Sequence, residues 1–190
     1  MTEFHEIGTP PDEWTFVVDS KNGFLYNVNG WSSESIFSAA LDGNLSLLQS
    51  HYSGDVLVVP SSGLSVMHYA VAGNQFAVVV FLLDRMKRPH APDKAGTSPL
   101  SLACRYGHLP IVNLLCERGG LVASLDRRGN TCLHEASKMG QYHVIEYLLK
   151  LIEKYKILLG HLIWAKNAFG QTCRDIAESD DIKSILLKHL

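Results

Sequence analysis

Cysteine is scarce in this chain. Cys104, Cys116, Cys132 and Cys173 are the whole complement, and no two stand in C-x-x-C spacing. That excludes paired-cysteine zinc sites and a disulfide framework, and it points to a reduced, intracellular protein. An excess of one charge is also missing: 17 Lys and Arg against 19 Asp and Glu leave a net charge of −2. No global basic field therefore invites nucleic acid. Long apolar runs are absent too. The richest stretch, Val144 to Trp164, is broken by Glu146, Lys150, Glu153, Lys154, Lys156 and His161, so nothing reads as a membrane span. Met1 to Pro11 lacks the charged-then-apolar order of a secretory signal. No Gly-rich phosphate cradle, paired-carboxylate motif or nucleophile elbow occurs. What remains is globular in composition, 46% hydrophobic and 19% charged, and long enough for one well-buried domain.

A repeat organises that remainder. Gly96–Thr97–Ser98–Pro99–Leu100–Ser101–Leu102–Ala103 runs into Cys104–Arg105–Tyr106–Gly107–His108. The same pattern returns 33 residues later at Gly129 to Gly140, and stands 33 residues earlier at Gly63 to Asn74. Each Gly permits a turn that side chains resist. The Ser or Thr two residues on (Ser65, Ser98, Thr131, Thr172) is placed to cap a helix. Leu100 and Ala103, like Leu133 and Ala136, lie three apart and share a helical face. A second apolar helix follows Gly107 and Gly140. Asn74 holds that turn position in the preceding unit, as the residue next best suited to a left-handed backbone.

A period near 33 with a G-x-[T/S]-x-L-[H/S]-x-A core resembles the ankyrin-repeat family over Ser33 to Leu190. The resemblance implies an all-α ankyrin-repeat solenoid of about five helix–turn–helix units. The first spans Ser35 to Gln49 without its Gly, and the units at Gly63, Gly96 and Gly129 follow. The last begins at Gly170, 41 residues after Gly129 rather than 33. Helical spacing of Val144, Leu148, Leu151, Tyr155 and Leu158 predicts that the eight inserted residues, around 142–166, extend a second helix that ends near Gly160, with His161 to Lys166 leading back to the last repeat. Phe76 to Leu83 is apolar nearly all round, so the spacing predicts a buried helix there. His68 and His134 share one repeat position. The resemblance implies that each ring bonds to backbone in a neighbouring turn, and a metal site is not expected.

Residues 1–32 stand outside the repeat. Glu13 to Val18 and Gly23 to Val28 read as a short N-terminal β-hairpin around Asn22–Gly23. Pro10–Pro11–Asp12–Glu13–Trp14, with Asp19, Gly23 and Tyr26–Asn27, partly resembles a WW domain. That family binds proline-rich peptides, so peptide recognition with the repeats as scaffold is one alternative. The tyrosine pair is reduced to Tyr26, and Trp31 follows it closely for a full third strand. The other alternative is a cap that covers the first repeat.

Function then falls to a surface. Ankyrin partners usually meet the turn tips and the exposed side of the first helices. Carried over by register, those positions include Lys94, Arg105, Tyr106, Arg127, Arg128, Asn130, Lys138, Met139 and Phe169. Five are basic, with aromatics and Met among them. The expectation is a non-catalytic interaction module (adaptor, assembly factor, scaffold or inhibitor), monomeric and cytoplasmic or nuclear. Its partner is another protein, bound through an acidic segment on the concave face. No cofactor, nucleic acid or membrane is expected. Tyr155, Leu159 and Trp164 of the insertion offer a second contact. A Cys-dependent enzyme is the remaining alternative, and it requires a thiol of low pKa.

Overall fold

The structure is a computed structural model. It describes residues 4–6, 16–19, 25–27, 31–52, 57–59, 61–155 and 160–188, with side chains over 36–52, 57–59, 61–155 and 161–188. Two compact units divide the chain, Met1–Pro89 and His90–Leu190.

The first unit begins with four short strands, β1 (Phe4–Glu6), β2 (Phe16–Asp19), β3 (Leu25–Asn27) and β4 (Trp31–Ser32). They form one antiparallel sheet in sequence order, with Val17 opposite Tyr26 and Asn27 opposite Trp31. The sequence predicts only the central hairpin. Its turn, 20–24, and the Pro10 to Trp14 motif lie outside the described residues. Strands β3 and β4 lie against α1 (Ser33–Asp42). Helix α2 (Leu45–His51) folds back on α1, and α3 (Val66–Ala72) with α4 (Phe76–Arg85) repeats the hairpin. Helices α1 and α3 pack side by side around buried Ile36, Ala39, Ala40, Met67 and Ala70. Phe37 and Tyr69 join them with ring centroids 4.9 Å apart. Asn74 turns the chain between α3 and α4 at φ +56°, the left-handed conformation its repeat position requires. The expectation that α4 is buried all round is corrected: Val78, Val79 and Leu82 are buried, whereas Phe76 is 47% exposed. A two-layer repeat covers one face of its second helix and leaves the other to solvent.

In the second unit, α5 (Pro99–Tyr106) pairs with α6 (Leu109–Glu117), and α7 (Cys132–Lys138) with α8 (Tyr142–Lys154). First helices α5 and α7 lie side by side, and α6 lies against α8, so the unit has two helical layers. Ser98 and Thr131 cap their helices as the spacing predicts, accepting from the N–H of Ser101 and of His134. Leu100, Ala103, Leu133 and Ala136 are buried between α5 and α7, and Ile111, Leu115, Ile145 and Leu148 fill the layer behind. Gln141 ties the repeats together: its Nε2 donates to the Arg105 carbonyl at the end of α5, 3.2 Å away.

Two expectations change in the inserted region. Helix α8 is long, 13 residues against 9 in α6, but stops at Lys154 rather than near Gly160, where the apolar spacing predicts its end. Residues 156–159 lie outside the described residues, and a short 3-10 turn spans Gly160–Ile163. The last repeat also lacks a full first helix, because Cys173 to Ile176 forms only turns. Asp175 and Thr172 bond reciprocally there, side chain to backbone. Helix α9 (Asp180–Lys188) then closes the unit with Ile182 and Leu186 buried.

Candidate protein-binding surface

Three turn tips stand in a row in the second unit, each built on one side chain. Asp93 Oδ1 accepts from the N–H groups of Ala95 and Thr97, both at 2.8 Å. Asp126 Oδ1 accepts from Arg128 and Asn130, again at 2.8 Å. Asn167 Oδ1 accepts from Phe169 at 3.0 Å and Gln171 at 3.1 Å. Each turn therefore holds itself before any neighbour is added. The tips are then laced together: the Arg127 N–H donates to the Ala95 carbonyl at 2.9 Å, and the Ala168 N–H to the Arg128 carbonyl at 2.8 Å. Gly129 makes that approach possible. Its φ is +74°, and a Cβ there would stand 3.0 Å from the Ala168 nitrogen.

This lacing sorts the residues chosen from sequence. Asn130 is a strut: its Nδ2 donates to Asp126 Oδ2, and its Oδ1 accepts from Asn167 Nδ2, both at 3.1 Å. Arg105 is likewise engaged. Its Nε donates to Glu135 Oε2 across α5 and α7 at 2.7 Å, with the Glu135 side chain 7% exposed and that of Arg105 32%. Burial works against the Arg105 charge, but the hydrogen bond to Glu135 and its negative charge more than offset this, holding the guanidinium pKa above its ordinary value. Arg127, Arg128 and Lys138 are exposed, and none of the three has an ion-pair partner among the described residues. Lys94 is exposed at the first tip. Tyr106, Met139 and Phe169 are 47%, 45% and 71% exposed.

Glu135, the three tip-building Asx residues and Gln141 escaped the sequence reading. The Asx residues had a signal: Asp93, Asp126 and Asn167 each stand three residues before their Gly. Glu135 had a weaker one, being an acid at a repeat position that Leu102 and Ile176 occupy elsewhere.

The insertion makes a second concavity. The extra turn of α8 overhangs the end of α6, and a cleft of about 670 Å³ opens below it. Leu121, Leu151 and Tyr155 form its apolar wall, and Asn113 accepts from the Tyr147 hydroxyl at 2.8 Å beside it. Tyr155 and Trp164 are 45% and 61% exposed, while Leu162 is buried. Leu159 lies outside the described residues.

The histidine and thiol chemistry is structural in character. His134 Nδ1 accepts from the Thr131 N–H at 3.3 Å, and Nε2 donates to the Gln171 carbonyl at 3.1 Å. Burial holds its pKa below the usual histidine value, which keeps the ring neutral for this pair of bonds. Burial pushes the Cys104 thiol well up, Cys116 to about 12 and Cys173 to about 11. Among the described residues no group of three or more His, Cys, Asp or Glu could hold a metal ion. No helix among them is long and apolar enough to cross a membrane.

Capped helix pairs, laced tips and a 33-residue period define a stack of interaction repeats. Residues 36–122 and 67–158 match the family described as Ankyrin repeats (3 copies), and the chain belongs to that family. It is a protein–protein interaction module. Among its relatives is NF-kappa-B inhibitor alpha of Sus scrofa, 34% identical over 91 residues, which are 45% of this chain and 29% of the relative. The probable 26S proteasome regulatory subunit p28 of Saccharomyces cerevisiae is 28% identical over 167 residues, 85% of this chain and 69% of the relative. Ankyrin repeat domain-containing protein 63 of Mus musculus is 32% identical over 101 residues, 53% of this chain and 25% of the relative. The chain thus spans less than a third of the inhibitor relative, and more than two thirds of the p28 relative.

Proposed function

We propose that this chain is a non-catalytic binding subunit whose second unit grips an acidic segment of another protein. The observation that carries this reading is that Arg127, Arg128 and Lys138 are exposed and have no ion-pair partner among the described residues. The charge count of the units agrees. Residues 90–190 hold 13 Lys and Arg against 10 Asp and Glu, and residues 1–89 hold 4 against 9. The net charge of −2 thus conceals a basic second unit and an acidic first one. Exposed arginines and exposed aromatics such as Tyr106 and Phe169 are of the kind that dominates interface energies. The relatives fit the class: one is named for inhibiting NF-kappa-B, the other for regulating the 26S proteasome. The thiols of Cys104, Cys116 and Cys173 are raised, and Cys132, whose pKa the hydrogen bond with Cys104 lowers, is wholly buried, which opposes a thiolate enzyme. A cytoplasmic or nuclear setting, with the chain monomeric, suits free cysteines.

The test is affinity capture from cell lysate at low and moderate salt, with wild type beside Arg127→Ala/Arg128→Ala/Lys138→Ala. A specific protein lost from the variant and weakened by salt supports the reading. A partner retained by the variant overturns it and moves the contact to the insertion, where Tyr155 and Trp164 are exposed.

A second reading concerns the N-terminus. Strands β2, β3 and β4 form an antiparallel meander, as a WW-type peptide groove needs, though β1 adds a fourth strand beside β2 and β3 and β4 lie against α1 as a cap would. Deleting residues 1–32 separates the two. Loss of proline-peptide binding with intact repeats favours the groove, and a collapse in stability favours the cap.

A further inference from the structure

The proposed binding face is not uniformly basic, and its pattern narrows the partner. Arg127 and Arg128 stand at the tip that leads into α7, while Met139 ends that helix. Gly129, Asn130, Thr131 and the seven residues of α7 stand between Arg128 and Met139, and the helix alone accounts for roughly 10 Å at 1.5 Å per residue. Tyr106 occupies the repeat position of Met139 at the end of the adjacent α5. Between these ends lies the Arg105–Glu135 pair. That pair is internally neutral. Its Arg has given one donor face to Glu135, and the Glu repels any acid laid over it.

We infer, building on the acidic-segment reading, that the partner segment is bipartite: an acidic cluster seats against Arg127 and Arg128, an apolar side chain seats against Tyr106 and Met139, and uncharged residues cross the Arg105–Glu135 pair. Roughly 10 Å of helix already matches about three residues of extended chain at 3.3 Å each, and the tip residues add to it, so acid and apolar anchor stand at least three residues apart. Phe169 stands with the arginines and Lys138 beside Met139, so each end holds both kinds of group in unequal shares. Charge complementarity carries the choice of occupant, because two adjacent, exposed arginines without a carboxylate partner form the strongest uncompensated charge among the described positions of this face.

The probe is a fluorescein-labelled peptide with a Glu–Glu pair, a short Ser spacer and a Leu–Leu pair, read by anisotropy on the full chain. Controls are the same peptide with Ser for both Leu, and an all-Glu peptide of equal length. The bipartite peptide is expected to bind more tightly than either control. Arg127→Ala/Arg128→Ala should weaken it roughly tenfold and flatten its salt dependence, since released charge carries that slope. Tyr106→Ser/Met139→Ser should weaken it about as much with the salt slope intact. Arg105→Gln should stay within about twofold of wild type. Circular dichroism confirms that each variant is folded. Equal binding of the all-Glu peptide, no effect of Tyr106→Ser/Met139→Ser, or a tenfold loss in Arg105→Gln overturns the bipartite pattern while the acidic reading stands. Failure of every acidic peptide to bind wild type, or indifference to Arg127→Ala/Arg128→Ala, overturns the acidic reading and the pattern with it.

Discussion

Arg105 on α5 reaches Glu135 on α7 with an Nε to Oε2 distance of 2.7 Å, and the carboxylate it meets is almost wholly buried. Two residues 30 apart in sequence thereby clamp two first helices, and a residue chosen as a partner contact becomes part of the scaffold. Arg105→Ala leaves the Glu135 charge buried without its partner. A fully buried pair broken this way costs about 3–5 kcal/mol, and the one-third exposure of Arg105 cuts that to about 1–2 kcal/mol. Arg105→Leu/Glu135→Leu should recover the loss, because Leu102 and Ile176 stand at the Glu135 position in other repeats. Thermal midpoints of both variants decide it. An unchanged midpoint for Arg105→Ala removes the clamp from the account.

Gly129 and Gly170 have nearly the same backbone, φ +74° and +75°, yet different surroundings. A Cβ on Gly129 would meet the Ala168 nitrogen at 3.0 Å, whereas one on Gly170 meets nothing within 4 Å. Gly170→Ala should cost about 1 kcal/mol, the conformational part alone. Gly129→Ala should cost more, about 2–3 kcal/mol, because the laced tips must part as well. Chemical denaturation of the two variants side by side measures the difference.

His134 supplies a pH dependence. Its pKa is lowered by burial, so protons favour the unfolded chain, where histidine titrates near about 6.5. The stabilisation is complete above that value and is lost as pH falls through the lower folded value. His134→Gln lacks it at every pH. The stability gap between wild type and His134→Gln should therefore narrow between about pH 7.5 and about pH 5. A gap that widens toward acid contradicts the assigned neutral ring.

The cysteines should label slowly in the folded state. Cys104, Cys132 and Cys173 are buried, and Cys116, with its thiol pushed up to about 12, is only partly accessible. Thiolate is the reactive form, so a disulfide reagent near neutral pH should modify them at the rate of unfolding. One fast thiol would reopen the enzyme alternative.

Leu148 on α8 and Leu133 on α7 are both fully buried. Either one changed to Ala should cost about 2–5 kcal/mol through lost burial and the cavity left behind. Phe76→Ala, on the exposed side of α4, should cost much less. Equal losses at the three positions would mean that α4 is covered on both sides after all.

Much of this was legible in the chain. Ser98, Thr131 and Asn74 announced a helix cap, a second cap and a left-handed turn, since each depends on a neighbour within four residues. The insertion was visible as eight surplus residues, yet its helix stops at Lys154, because apolar spacing does not register where neighbouring layers end. Cys173 to Ile176 kept the motif and formed turns rather than a helix. The candidate site was legible by register alone. Register gives a residue's place in its own repeat, and says nothing of what the next repeat presents to it.

The sequence by itself determined the repeat, its caps, its turns and the short-range bonds that build each tip, because these are local and recur with the period. Only the tertiary structure decided which of the chosen side chains remain available. Asn130 was taken by Asp126 and Asn167, and Arg105 by Glu135, leaving Arg127 and Arg128 exposed and without an ion-pair partner among the described residues. The physical reason is distance. A hydrogen bond of about 3 Å is settled by the stacking of repeats, and residues 30 or 37 positions apart meet only once that stack has formed.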